Sequence, residues 1–431
     1  MKLMKRIFCL VMVMAMAVGF AACGGDEETP AAQGPKEKIT LTVWGAQQDQ
    51  EMLKSMCKAY AEANPDKEYK FLFGIQGEGD AADKILNDVT SGPDVFSFPS
   101  DQINKLYAGG ALARVGGDIE KNVIAVNSPE SVDAATLTIN GENQLFAYPA
   151  TGDNTYVVFY DKRVYTNPED LASLDKMLDV AEDAGKTVHF KLNDDGWYLS
   201  SFFFADESLA YNVTYNENMV EEKVEINYND PAGLEVMKAL RSYILRDGLV
   251  VTTDDSKMIA GLTPTAEGTV EAAAVITGIW NKESIVQLLG DNMGVAVLPK
   301  ATIGGKEVQL SGYFGYKLMG VNGYSKNKGE AHKLAQWLTN EQNQILRHEV
   351  RGFGPTNINA MATEAVKNDA VISVILQQAA FNRTQKGVPS AYWTPMGSLV
   401  TPIVNAKVDG TEVTDEMLQE YLDALCDQIR K

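Results

Sequence analysis

Short apolar runs alternate with amphipathic segments from residue 39 onward, and this alternation restricts the chain to few folds. ITLTVWG is rich in β-branched residues and ends at a glycine, as a strand does. The next segment, EMLKSMCKAYAEANPD, has apolar residues at helical spacing and stops at Asn-Pro. KEYKFLFG, AADKILNDVTSG and PDVFSF continue as strand, helix and strand. This βαβαβ order predicts an α/β fold with helices on the faces of the sheet.

A second series of the same kind follows. TYVVFYD, TVHFKL, EAAAVITGIW and MGVAVLPK read as strands, whereas SLDKMLDVAEDAG, GWYLSSFFFA and GLEVMKALRSYILRDG read as helices. GEAHKLAQWLTNEQNQILRHE is predicted to form one helix, and the final TDEMLQEYLDALCDQIRK another with Thr414 as its N-cap. The chain has 431 residues, which is too long for one typical core and suits two lobes.

The N-terminus carries a processing signal. Three basic residues precede an apolar run that is short for a membrane span, and two alanines then stand directly before Cys23. This arrangement looks like a bacterial lipobox, so residues 1–22 are predicted to be a signal peptide and Cys23 to be acylated. Residues 23–38 contain Gly, Pro and charge, which predicts a flexible lipidated tether. The body is therefore expected outside the cytoplasm, anchored to the cell membrane through lipid.

Charge and motifs exclude several function classes. The net charge is −20, and it becomes −23 when the three basic residues of segment 1–22 are removed. Such a chain repels phosphate backbones, so nucleic acid is excluded as a partner. The sequence has no HExxH, GxSxG, Walker or GxGxxG motif, and no metal site or cofactor is predicted. Cys57 and Cys426 are expected to be buried free thiols.

Several strings in collinear order resemble the maltose-binding family of solute-binding proteins, which serve ABC sugar importers. These strings are SGPDVFSFPSDQINKLYAGGALARV, GENQLFAYPATGDNTYVVFYDKRVY, AAAVITGIWN, MGVAVLPK and GVPSAYWTP. The resemblance runs over nearly the whole mature chain. It implies a two-lobed periplasmic-binding-protein-like fold (type II) with the ligand cleft between the lobes, and a chain that acts as a monomer.

The resemblance also implies three crossings between the lobes, near residues 150–155, 309–312 and 359–362. The N-terminal lobe is then 39–150 plus 312–360, and the C-terminal lobe is 151–311 plus 361–431. Hinge closure over the ligand is the expected motion.

A sugar site combines two kinds of side chain. The apolar face of a pyranose packs flat on an aromatic ring, and its hydroxyl groups donate to carboxylates. The residues that match the family's sugar-binding positions are Phe98, Asp101, Asp153, Asp195, Trp197, Tyr198, Trp280 and Trp393. Two positions depart from the family: Gln102 replaces an arginine, and GAQQDQ replaces an early Asp-Lys pair. Asp194 is a close rival of Asp195, because a shift of one residue would exchange them.

The predicted function is capture of maltose or maltooligosaccharides and their delivery to a membrane permease. Binding proteins of the same fold for another oligosaccharide or a polyol remain open as the alternative. A glycoside hydrolase is the minor alternative, since Asp101, Asp153 and Asp195 could supply its carboxyl pair. A hydrolase needs one carboxyl that is kept protonated by desolvation, and the sequence shows no basis for this.

Overall fold

The computed structural model describes residues 36–266, 268 and 270–431. The predicted signal peptide, Cys23 and most of the predicted tether lie outside the described residues. From Lys38 to Lys431 the chain forms one compact unit. Within the described ranges, no helix has the length and apolar character needed to cross a membrane.

Strands are short, and most lie in two separate sheets. Their bounds are β1 (Glu37–Gly45), β2 (Lys67–Ile75), β3 (Val95–Pro99), β4 (Thr136–Ile139), β5 (Glu142–Leu145), β6 (Ala147–Asn154), β7 (Tyr156–Asp161), β8 (Thr187–Phe190), β9 (Tyr211–Tyr215), β10 (Glu221–Ile226), β11 (Leu249–Val251), β12 (Ala272–Gly278), β13 (Met293–Ala296), β14 (Lys300–Ile303), β15 (Lys306–Gln309), β16 (Tyr313–Val321) and β17 (Arg383–Thr384). The pairs β4–β5, β9–β10 and β14–β15 form small two-stranded sheets of their own.

Helices follow most of the predicted segments. Their bounds are α1 (Gln50–Ala63), α2 (Ala81–Asn87), α3 (Ile103–Ala108), α4 (Gly117–Val126), α5 (Pro129–Ala134), α6 (Leu174–Asp183), α7 (Gly196–Phe203), α8 (Pro231–Ile244), α9 (Asp255–Ala260), α10 (Lys282–Leu289), α11 (Lys328–Leu338), α12 (Glu341–Arg351), α13 (Ile358–Met361), α14 (Glu364–Lys367), α15 (Ala370–Ala379), α16 (Trp393–Ser398), α17 (Thr401–Asp409) and α18 (Asp415–Ile429). Thr414 caps α18 as predicted, because its side chain accepts a hydrogen bond from the backbone N–H of Met417.

One predicted helix is wrong in extent, because residues 329–349 belong to two helices. The chain leaves α11 at Thr339, whose hydroxyl donates to the carbonyl of Ala335 at 2.9 Å. Asn340 then starts α12, since its side chain accepts from the backbone N–H of Asn343 at 2.9 Å. Asparagine competes for backbone hydrogen bonds inside a helix and is favoured at an N-cap, so it ends one helix and begins the next.

The first sheet has the order β17-β16-β3-β1-β2, with β6 also paired to β16. Strands β1 and β3 are parallel, as the βαβ pattern predicts, whereas β16 is antiparallel to both β3 and β6. Phe96 and Leu318 are fully buried in the apolar core that covers this sheet. The sheet therefore combines a parallel start with strands that return later in the chain.

The second sheet has the order β11-β8-β12-β7-β13. Alternate residues of β7 belong to different apolar clusters: Tyr156 and Val158 pack on one face, and Val157 and Phe159 pack on the other. A strand covered on both faces needs apolar residues at every position, which explains the uninterrupted run YVVF.

The chain passes from one sheet to the other at several points. It leaves β6 at Asn154 and begins β7 at Tyr156. On the return, Tyr313 of β16 is buried in the core of the second sheet and Leu318 in that of the first, so this strand spans both. The exact lobe boundaries stay a prediction.

Cys57 and Cys426 are buried and unbridged, which confirms the prediction of free thiols. Cys57 belongs to the core of the first sheet and Cys426 to a core of the second. Burial raises the pKa of the Cys57 thiol to about 12, so the group is inert at neutral pH.

Candidate functional site

Polar groups meet where β3, β16 and β6 lie side by side. Lys317 of β16 stands opposite Pro99 of β3 and Thr151 of β6. Its ammonium lies 3.5 Å from the carboxylate of Glu78. Because Asp101 follows β3 and Asp153 lies on β6, the register brings both carboxyl groups near the charge of Lys317. Desolvation raises the pKa of each group, and Lys317 opposes this rise without cancelling it.

Asp153 is almost fully buried at 3% exposure and is held by two donors. Its carboxylate accepts from the hydroxyl of Thr151 at 2.7 Å and from the backbone N–H of Gly354 at 2.6 Å. Desolvation is nevertheless the largest influence and raises the pKa of Asp153 to about 6.

Asp101 has a similar electrostatic setting. Its carboxylate accepts from Nε2 of Gln385 at 2.9 Å, and Gln385 in turn accepts from Asn154 at 2.6 Å. The side chain keeps some exposed surface, but its surroundings desolvate the charge and raise the pKa of Asp101 to about 7. The partner Gln385 lies directly after β17, far away in sequence, so local patterns do not reveal it.

Aromatic side chains gather at the start of α7. Asp195 is the N-cap of this helix and accepts from the backbone N–H groups of Trp197 and Tyr198 at 2.9 and 3.4 Å. Asp194, its rival at the sequence level, precedes the helix with a positive φ of 62° and is not its cap, and which of the two contacts a ligand stays a prediction. The ring of Trp197 lies 5.7 Å from that of Trp280, with the planes inclined by 47°.

A second carboxylate orients Trp280. Its indole Nε1 donates to Asp255 at 2.8 Å. Lys191 lies 2.8 Å from Asp195 and 3.8 Å from Asp255, and so links the groups behind the two tryptophans. Within the described part of the chain, the indole N–H of Trp197 is buried without a hydrogen-bond acceptor.

Trp393 starts α16, whose first turn lies against the first turn of α7. A Cβ on Gly196 would lie 2.6 Å from Cβ of Met396 and 2.9 Å from the carbonyl of Trp393, so only glycine permits this approach. The ring of Trp393 packs edge-on against Tyr313 and Tyr392 at 5.5 and 5.3 Å. Close packing of the two helix starts therefore places Trp393 near the cap residue Asp195.

A cavity of about 150 Å³ lies between the charged groups on β6 and β16 and the tryptophan Trp280. These two walls are called the strand side and the helix side. It is lined by Ala46, Glu78, Gly79, Ser97, Ala150, Thr151, Asp153, Asn154, Ile279, Trp280, Lys317, Arg347 and Phe353. Small-molecule pockets typically measure roughly 300–1,000 Å³. A ligand that fills a typical pocket is larger than this cavity, so its binding would require the two sides of the cavity to move apart.

The structure corrects the prediction for two site residues, because their side chains are buried. Phe98 is fully buried in the core of the first sheet, 5.5 Å from the ring of Phe96. Because side chains alternate along β3, Ser97 faces the cavity instead and donates to Glu78 at 2.5 Å. Tyr198 is 2% exposed and packs on Tyr156 at 4.7 Å, so neither Phe98 nor Tyr198 presents a ring to a ligand here.

The remaining predicted residues fall into two groups. Asp153 and Trp280 line the cavity. Asp101, Asp195, Trp197 and Trp393 do not line it. Asp101 accepts from Gln385, Asp195 caps α7, Trp197 lies beside Trp280, and Trp393 packs against Tyr313. Sequence reasoning missed Glu78, Lys317, Asp255, Gln385 and Arg347. Lys317 had a signal, because it is a charged residue inside the otherwise apolar strand YFGYKLMGV.

The pKa values of Asp101 and Asp153 bear on the alternative that the protein is a glycoside hydrolase. The sequence offered no basis for a desolvated carboxyl, but the structure supplies two, in Asp101 and Asp153. An acid–base pair requires pKa values pushed apart, whereas both of these shift upward for the same reason. Among the described residues, no cluster of His, Cys, Asp or Glu is arranged to hold a metal ion.

Comparisons with known proteins agree with this architecture. The galactooligosaccharide-binding protein of Bacillus subtilis (strain 168) is 24% identical over 432 residues, covering 96% of each chain. A solved chain with acarbose is 29% identical, with a TM-score of 0.78 and coverage of 91% of this chain and 98% of that one. The maltodextrin-binding protein of L. casei BL23, solved without ligand, is 20% identical, with a TM-score of 0.71 and coverage of 91% and 99%.

These likenesses confirm the predicted two-lobed α/β fold. The named relatives are binding proteins rather than enzymes. Residues 55–373 match the family model described as bacterial extracellular solute-binding protein, which agrees with the predicted location outside the cytoplasm. Because the match spans more than half of the chain, this protein belongs to the bacterial extracellular solute-binding protein family.

Proposed function

We propose that the protein binds an oligosaccharide between its lobes and that its ligand is a maltooligosaccharide. One observation carries the proposal: a tryptophan, Trp280, and the charged groups of Glu78, Asp153 and Lys317 line the same cavity. An indole face suits the apolar face of a pyranose, and the charged groups suit its hydroxyl groups. Trp197, whose ring lies 5.7 Å from Trp280, extends the aromatic surface.

The choice of α-glucans draws support from the relatives. The L. casei protein is a maltodextrin-binding protein, and another relative was solved with acarbose. A galactooligosaccharide is the second candidate, because the B. subtilis relative that covers 96% of this chain is named for that ligand. Both classes present hydroxyl groups and apolar ring faces, so the same two-sided cavity suits either.

In this function, closure of the lobes on the sugar creates the form that a membrane permease recognises. A ligand shifts a protein toward the closed state only to the extent that it binds this state more tightly. The protein acts as a monomer held at the membrane through acylated Cys23. Substitution of Cys23 by alanine in cells is expected to release the protein from the membrane fraction without changing sugar affinity.

The test is calorimetric titration of residues 36–431, whose body from Lys38 forms one compact unit. The sugars are maltose, maltotriose, maltotetraose, a β-galactooligosaccharide and cellobiose, with chromatography of the mixtures to detect cleavage. Saturable binding of α-glucans without products supports the proposal. Binding confined to the galactooligosaccharide moves the assignment to the second candidate, and binding of none of the sugars contradicts the function. Cleavage products would revive the hydrolase.

A further inference from the structure

Arg347 on α12 is a buried cation whose hydrogen-bonding capacity is largely unused. The side chain is 5% exposed, and its Nε and Nη2 atoms are buried with no partner among the described residues. The nearest carboxylate oxygen, on Asp49, lies 3.9 Å from Nη1, which is beyond hydrogen-bond distance. Arg347 is one of the residues that line the cavity. Buried charged donors without acceptors are costly, so two such donors on a cavity-lining residue point to an acceptor that a ligand supplies when the cavity opens.

The unused edge of this guanidinium has a defined geometry. In Arg163, Nε and Nη2 bind the two carboxylate oxygens of Asp161 at 2.9 and 2.6 Å. In Arg246, the same two atoms bind the two oxygens of Glu182 at 3.1 and 2.6 Å. The Nε–Nη2 edge therefore holds two neighbouring oxygen atoms at once. In Arg347 this edge is unoccupied.

Nearby cations are already paired, which sets Arg347 apart. Arg351 lies one turn further along α12 and contacts Asp49 at 3.0 Å and Glu283 at 3.3 Å. Lys317 is 3.5 Å from Glu78. Asp49 thus has Arg351 as its hydrogen-bonded partner. A purely structural role for Arg347 beside Asp49 would leave its Nε–Nη2 edge unexplained.

The surroundings of Arg347 indicate which pair of oxygens would bind. The cavity that Arg347 lines also contains the carboxyl groups of Glu78 and Asp153 and the ammonium of Lys317, which lies 3.5 Å from Glu78 and offsets its charge. A ligand carboxylate would be repelled by the two carboxyl groups, whereas neighbouring hydroxyl groups accept from the guanidinium and donate to the carboxylates. The cavity wall therefore suits two adjacent hydroxyl groups on a neutral sugar ring.

We propose that Arg347 is a specificity-determining residue that binds a vicinal pair of hydroxyl oxygens on one ring of a neutral sugar ligand. The inference rests on the proposed function, because it requires a sugar in the cavity. Opening of the lobes gives the ligand access, and closure brings the ring against Arg347. Neutral sugars are favoured over those that carry a carboxylate at the same ring.

The experiment compares Arg347→Met with the wild type, using residues 36–431 and the best-binding oligosaccharide of the titration above. Arg347→Lys keeps a positive charge near Asp49 but removes the Nε–Nη2 edge, which can bind two oxygen atoms at once. Arg163→Met is the matched control, since it removes an identical edge that binds Asp161 rather than a ligand. Thermal unfolding of each variant shows that it is folded. The ligands are the parent sugar, its monodeoxy derivatives at each hydroxyl, and an analogue with one uronic acid ring.

We expect Arg347→Met to weaken binding of the parent sugar at least tenfold, Arg347→Lys to restore only part of the affinity, and Arg163→Met to leave it unchanged. Two adjacent deoxy derivatives should lose less affinity in Arg347→Met than in the wild type, because the contact is already absent. Equal losses in both proteins at every position would overturn the proposal, as would tighter binding of the uronic acid analogue. If the wild type binds no sugar, the proposed function fails and this inference falls with it.

Discussion

The two sides of the cavity are built by different kinds of local structure. On the strand side, Lys317 and Asp153 come from separate strands and meet through sheet register. On the helix side, Trp197 follows its cap Asp195 within one short turn, and Trp280 lies two residues after the end of the buried strand β12. Groups placed by a local turn leave a readable string in the sequence, whereas groups placed by register between distant strands do not.

In the proposed function, the two sides contribute differently to binding a sugar. Aromatic rings supply buried area that is largely indifferent to the orientation of hydroxyl groups. Charged groups supply directional hydrogen bonds and therefore select among sugars. The comparison predicts that damage to the helix side lowers affinity for all ligands, and that damage to the strand side changes which ligand is preferred.

The largest effect is expected for Phe98→Ala. This substitution tests whether the residue belongs to the core face of β3 or to the face that lines the cavity. Removal of a buried phenylalanine ring lowers the free energy of unfolding by about 3–5 kcal/mol. Sugar affinity of the folded protein should remain unchanged, because Phe98 faces the core. Urea denaturation measures the stability, and calorimetry the affinity. A selective loss of affinity without loss of stability would return Phe98 to the site.

Trp280→Ala tests the helix side. Loss of the ring is expected to cost about 2 kcal/mol of binding free energy, roughly thirtyfold in affinity, for every sugar that binds. Trp337→Phe is the control, since its indole donates to the carbonyl of Met56 within the first-sheet region. Titrations of both variants with the same sugars provide the measurement. Unchanged affinity in Trp280→Ala would show that the helix side is not the ligand side.

The strand side should make the stability of the ligand-free protein depend on pH. The pKa values of Asp101 and Asp153 are raised to about 7 and 6 in the folded state, above the ordinary 3.8. The native protein therefore binds more protons than the unfolded chain between about pH 4 and 7, and its stability falls as pH rises through this range. The charge of Lys317 is already among the influences on both pKa values, and at about 1.4 kcal/mol per pKa unit the fall is expected to be on the order of a few kcal/mol.

Denaturation of the ligand-free wild type and of Asp101→Asn at several pH values tests this dependence. The variant should show a smaller fall in stability between pH 4 and 7, because one of the two titrating groups is gone. An identical pH dependence of stability in the variant and the wild type would contradict the raised pKa of Asp101.

A smaller effect is expected for Asp153→Asn on affinity. An ionised Asp153 accepts hydroxyl donors more strongly than a protonated one, so sugar binding should weaken as pH falls through about 6. The amide variant should bind about tenfold more weakly at pH 8, consistent with roughly 1.4 kcal/mol for one charged hydrogen bond. Its affinity should also vary less between pH 8 and 5. Identical pH profiles for variant and wild type would exclude Asp153 from contact.

Part of this site could be predicted from the sequence because it is local. The cap residue Asp195, Trp197 two residues later and Trp280 just after the strand β12 all lie in short strings with recognisable spacing. Phe98 was assigned to the site through its match to a family position, whereas alternation along β3 turns Phe98 to the core and Ser97 to the cavity. Arg347 was missed because it sits in an ordinary amphipathic helix, and its unused edge is visible only once Asp49 and Arg351 are seen to pair.

The sequence by itself determined the α/β alternation and the aromatic strings, since these depend on periodicity and on residues close along the chain, and the two-lobed fold was implied by its resemblance to a known family. The tertiary structure alone decided that Lys317 stands among Glu78, Asp101 and Asp153, and that Arg347 keeps two donors unused. The physical reason is distance along the chain: pairing β16 with β3 and β6 joins residues more than 150 positions apart, and burial then sets their protonation.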